Sequence, residues 1–248
     1  MVIDLKKQEN MIGLLSQMNL RDRILNWRNF SATRVVASSL GVLVGLAGIE
    51  HGILEVLQGN VTPNDMWIDA IGPRQRLWEY ATETAITIIP SYFWTGILAI
   101  SFGLIVTLWA VMFIERKYGA RILFLLSVIL WLIGGGFAPI FFTIFATLAA
   151  TRINKPLAWW HAHLPDSVRS FLVKLWPWSP IALVVTFWSG VEIAIFGYPL
   201  RWFFSADLTY SIQWTLGFIM LGIMLVSILS AFAYDIQKQP DSHLVSNI

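Results

Sequence analysis

Long apolar runs separated by short polar links dominate this 248-residue chain. Near its start, Met11, Leu14, Leu15 and Met18 fall at i, i+3, i+4 and i+7, the spacing of a helix lying flat on a surface. Residues 1–33 are too polar and too long for the charged start of a cleavable signal peptide, and are read as a cytoplasmic amphipathic segment. Apolar spans follow at about 35–57, 84–114, 122–135, 138–150, 180–196 and 209–234, making residues 34–234 a polytopic transmembrane domain. A polar tail, 235–248, ends the chain. Between the fourth and fifth spans, Val168, Phe171, Leu172 and Leu175 repeat the helical stripe behind Asp166. That spacing predicts a short interfacial helix over about 166–175.

Two interruptions shape the topology. Pro90 is predicted to kink the early part of the second span. The run Gly134-Gly135-Gly136-Phe137-Ala138-Pro139 divides what would otherwise be one apolar stretch from about 122 to 150. Each interior glycine costs a helix about 1 kcal/mol relative to alanine, and an interior proline roughly 3. The stretch is either one long kinked helix or a tight hairpin with both arms inserted from one side. Arms of about 15 residues reach roughly 22 Å at 1.5 Å per residue. They would span with local thinning of the bilayer or form a re-entrant pair.

Positive charge separates these alternatives. Lys and Arg cluster at the N-terminus (Lys6, Lys7, Arg21, Arg23, Arg28, Arg34), in the link Arg116, Lys117 and Arg121, and at Arg152, Lys155, Arg169 and Lys174. The link between the first two spans carries only Arg74 and Arg76, and Arg201 precedes the last span. A hairpin gathers the basic segments on one side together with Lys238, and such segments favour the cytoplasm. The expected fold is therefore an all-α integral membrane protein of about six inserted helical segments. The third and fourth form the Gly/Pro-broken hairpin, and both termini are cytoplasmic in a cell membrane.

Composition narrows the partners. Apolar residues make up 56% and charged residues 13%, against roughly 25% charged in soluble domains. The lipid bilayer is the first partner implied. A net charge of only +2 gives a nucleic-acid partner no electrostatic support. The absence of cysteine excludes disulfides and thiolate-bound metals. Many of the thirteen tryptophans, Trp159, Trp160, Trp176 and Trp178 among them, fall at span ends, where indoles anchor in the headgroup layer.

Candidate chemistry begins with Glu50, His51 and Glu55 near the end of the first span. Ionisable groups at membrane depth are expensive and need a partner or a function. Gly41, Gly45, Gly48 and Gly52 form a small-residue stripe on the same helix, which lets a neighbour approach closely. Glu79 and Glu83, four apart, are read as one face at the start of the second span, and Glu192 falls late in its own. In the hairpin topology all six form one polar layer in the exterior half of the bilayer, near Asp65 and Asp69 of the connecting link. Close carboxylates cannot all remain ionised there, so the layer would hold protons or a cation, with His51 as proton partner.

Glu-x-x-His spacing is missing, and His161 and His163 lie in a tryptophan-rich loop where water and headgroups suit them, so no metal and no cofactor is assigned. No phosphate-binding loop or nucleophile elbow is present in the sequence. The leading expectation is proton-linked binding or transport of a small molecule or cation. The rival is a non-catalytic subunit or scaffold that meets another membrane protein and whose polar residues fix packing. An enzyme acting on a lipid is a third reading, resting on the same Glu/His layer.

Overall fold

The computed structural model describes residues 31–238. The amphipathic stripe expected at Met11–Met18 and most of the polar tail lie outside the described residues. The fold is mostly helical: α1 (Ala32–Val56), α2 (Tyr92–Met112), α3 (Gly119–Leu132), α4 (Pro139–Ala150), α5 (Ala158–His163), α6 (Asp166–Leu175), α7 (Ser179–Phe196) and α8 (Ala206–Lys238). Two three-residue strands, β1 (Trp67–Asp69) and β2 (Thr84–Ile86), and a 3-10 turn at Leu200–Trp202 complete it. By length and apolar composition, α1, α2, α7 and α8 can each cross a membrane, while α3 and α4 are shorter apolar helices of 14 and 12 residues. Helix α8 continues to Lys238, into the stretch read as polar tail.

The glycine stripe of α1 seats two neighbours. A Cβ on Gly52 would come within 2.6 Å of the Gly96 carbonyl oxygen, and one on Gly103 within 2.6 Å of the Gly45 carbonyl. Glycines on both helices therefore bring the α1 and α2 backbones together. Gly48 lies instead against Leu130 of α3, where a Cβ would meet the leucine at 2.6 Å. Leu40, Val44, Val106, Ala110, Leu123 and Leu130 fill the core that this nesting creates.

Residues 84–91, expected as the start of the second span, are not helical. β2 pairs antiparallel with β1, with Ile68 opposite Ala85. The β-branched run Thr84, Ile86, Thr87, Ile88 and Ile89 suits an extended chain, and Pro90 cannot donate to a helix ladder. Ser91 then starts α2 as its cap, with Oγ accepting from Trp94 N at 3.4 Å.

The glycine break between α3 and α4 pairs with that same extended segment. Gly134 N donates to Ile86 O at 2.8 Å, Phe137 N to Thr84 O at 2.8 Å, and Ile88 N to Leu132 O at 3.1 Å. The N–H groups that leave the helix are thus satisfied by a strand, as buried backbone requires. Gly134 and Gly136 have φ of 98° and 87°, a region that side chains strain to enter.

At the opposite end of the bundle, the chain closes on itself. Asp235 of α8 accepts from Ala32 N at 2.7 Å, Thr33 N at 2.9 Å and Thr33 Oγ1 at 2.6 Å, capping α1 from a residue 203 positions away. Trp160 packs on Phe232 and Trp176 on Tyr234, while Arg34 pairs with Glu115 at 3.2 Å. One end of the bundle therefore carries Arg34, the 113–121 link, α5 and Lys238. Asp235→Ala strands three donors at the start of α1. It should destabilise the folded protein by about 2 kcal/mol, read as a lower melting temperature in detergent, with Asp235→Asn intermediate.

Candidate functional site

Three carboxylates and one imidazole assemble at the other end, where α1 meets β2 and the glycine break. His51 is buried, with only 4% of its surface exposed. Its Nδ1 lies 2.8 Å from Glu50 Oε2 and 3.0 Å from the Ala47 carbonyl oxygen one turn back. Its Nε2 lies 3.3 Å from Glu83 Oε2. That Nε2 makes no hydrogen bond, so the ring sits between a carboxylate of its own helix and one from the loop at ion-pair distance only. A neutral imidazole can donate from one nitrogen alone. Here Nδ1 faces the Ala47 carbonyl, and Nε2 is enclosed without a hydrogen-bond partner.

Glu55 sits one turn beyond His51 and is fully buried. Both its oxygens, and Oε1 of Glu50, are enclosed without a hydrogen-bond partner. Glycine geometry explains how a carboxylate fits there. A Cβ on Gly134 would stand 2.5 and 2.6 Å from the two Glu55 oxygens, and one on Gly136 would stand 2.6 Å from His51 Cε1 and Nε2. The turn at the glycine break thus sets residues 134 and 136 against residues 55 and 51, which share one face of α1. Thr87 and Thr95 pair through their hydroxyls at 2.6 Å, and the Thr95 methyl also borders Gly134.

Glu83 is delivered by a rigid loop. Asp69 of β1 accepts the Glu83 N–H at 2.9 Å and the Ile71 N–H at 3.2 Å through Oδ1, while Arg76 holds its Oδ2 at 2.9 Å. Gln58 adds bonds to the carbonyls of Asp69 and Ala70 at 2.9 and 2.8 Å. Burial raises the Glu83 carboxyl above the ordinary carboxylate range, and the neighbouring His51 ring opposes the rise. With 18% and 15% of their side chains still exposed, Glu83 and Glu50 are the members of the group that reach toward solvent.

The six expected residues do not all converge. Glu50, His51, Glu55 and Glu83 come together, whereas Glu79 and Glu192 are exposed. Glu79 and Glu83 share no helix face, because residues 73–90 carry prolines at both ends and fold as loop and strand. Trp78 turns inward to donate to Ala194 O at 3.1 Å, which leaves its neighbour Glu79 outside. Glu192 stands on α7 away from the face that buries Leu183, Phe187, Ile193 and Ala194. His161 and His163 are exposed on α5, with His163 stacked on Trp159 at 4.4 Å. Among the described residues, no group of three or more His, Asp or Glu is arranged to hold a metal.

Sequence reasoning missed the positioning role of Asp69 and the contact of Gly134 and Gly136 with the polar pair. The triple glycine was the available signal, read only as a break in the helix.

Two outcomes follow. Gly136→Ala forces a Cβ into the His51 ring at positive φ and should cost more than about 1 kcal/mol, whereas Gly222→Ala, in open space on α8, should be near neutral by the same melting assay. A raised native pKa for Glu83 means that the folded chain binds this proton more tightly than the unfolded one. Its contribution to stability is complete below the ordinary carboxylate range and is lost as pH rises through the raised value. Melting temperatures measured from acid to neutral pH should show this decline flattened in Glu83→Gln. Compared with known proteins, the chain matches no family model, no curated protein and no solved structure.

Proposed function

We propose that this is a multi-pass membrane protein that binds and releases protons at the Glu50–His51–Glu55–Glu83 cluster, in linkage with a small molecule or cation. The observation that carries this reading is Glu55: a fully buried carboxylate on a membrane-length helix with no hydrogen-bond partner for either oxygen. A polar network that only fixed packing would satisfy its buried atoms, since an unpaired one is costly. Three carboxyl groups around one imidazole cannot all stay ionised in an enclosed site. Protons, or a cation exchanged for them, supply the balance. Glu50 and Glu83 are the partly exposed members, His51 lies between them and Glu55 is the enclosed acceptor.

The orientation belongs to the same proposal. Helices α3 and α4 insert as the arms of a hairpin, giving six inserted segments, with the basic end of the bundle in the cytoplasm and the cluster in the exterior half of a cell membrane. Support comes from the two ends of that pair. The break lies against Glu55 and His51, while the chain after α4 returns to the end where Trp160 meets Phe232 and Asp235 caps α1. Lys and Arg segments gathered at one end agree with the bias that sets topology.

Infrared difference spectra taken across a pH jump test the proton site. Wild-type protein is expected to show a protonated-carboxyl band that titrates, reduced in Glu55→Gln and displaced in pH in His51→Ala. A spectrum unchanged by Glu55→Gln, in a variant that melts at the wild-type temperature, would rule the site out and leave the scaffold reading.

A further inference from the structure

Away from the polar cluster, a groove of about 310 Å³ opens between the start of α7 and the middle of α8. Leu175, Trp178 and Ala182 form one wall, with Ile219, Gly222 and Val226 forming the other. The polar atoms at its floor are already engaged. Ser179 Oγ pairs with Ser230 Oγ at 3.0 Å, and the Ser179 carbonyl accepts from Ser227 Oγ at 3.2 Å. A polar ligand would find no partner there. The groove's lining is apolar, which suits a length of hydrocarbon chain.

We propose that this groove seats one acyl chain of a phospholipid whose anionic headgroup lies at Lys174. Lys174 is exposed and immediately precedes Leu175 at the rim, on the amphipathic helix α6. Its neighbour Arg169 is already bonded to Asp166. Trp178, 69% exposed, stands at the mouth, where an indole meets the headgroup layer. A basic residue beside an apolar slot at the interface complements a negatively charged lipid. The slot runs along residues 219–226 of α8, about 12 Å at 1.5 Å per residue. That length is short for a second helix to pack along. Gly222 lines the groove, and a Cβ added there would stand in open space.

Native mass spectrometry of the full chain, released from micelles holding equal amounts of phosphatidylglycerol and phosphatidylcholine, tests the assignment. Wild type is expected to retain phosphatidylglycerol several-fold over phosphatidylcholine. Gly222→Leu fills the groove and should lose the retained lipid. Lys174→Gln should keep a lipid but lose the preference between the two. Gly190→Leu, at an open position elsewhere on α7, should behave as wild type. If Gly222→Leu does not fold, Ala182→Leu fills the same space from the other wall. Equal retention by wild type and the filled variant would reduce the groove to ordinary lipid contact and overturn the proposal. A wild-type dimer that the filled variant dissolves would also overturn it, assigning the face to a second copy.

Discussion

The fold depends on one close approach: a turn of glycines laid against the polar end of an apolar helix. Gly134 and Gly136 bring backbone, and only backbone, up to Glu55 and His51. That contact needs the chain to leave helical geometry, and leaving it frees N–H groups that hydrocarbon cannot satisfy. The extended segment at 84–88 accepts or donates those bonds. The loop is thereby fixed, Asp69 is held beside Glu83, and Glu83 is delivered to the imidazole. Polar chemistry and backbone pairing at this end are a single structure.

Charge is divided along the bundle in a way that the apolar core does not require. The Arg34–Glu115 pair, the Asp235 cap and the aromatic contacts of α5 and α6 lie at one end. The acidic cluster and the β1–β2 ribbon occupy the other. Between them, α1 carries no exposed ionisable group, and its glycines let α2 and α3 close around it. Helix α1 is thus both the most enclosed element and the one that bears three of the four clustered polar side chains.

What the sequence disclosed follows from how local each signal is. Helical class and the long apolar helices were legible because hydropathy acts over a single segment. His51 and Glu55 were legible as neighbours because one helix fixes their spacing. Residues 84–91 were misread because an apolar, β-branched run satisfies a hydropathy window whether it is strand or helix; only Pro90 hinted otherwise. The convergence of Glu83 on His51 depends on Asp69, Arg76 and a strand register formed across the chain, none of which has a local signature. Glu192 was drawn into the layer by depth alone, and depth does not set the face of a helix.

The Asp235 clasp bears on the order in which the protein can be completed. Residue 32 is synthesised 203 residues before residue 235, so the Asp235 cap on α1 cannot form until the last described helix is made. A chain halted before that point keeps its long apolar helices but lacks the carboxylate that accepts from Ala32 and Thr33.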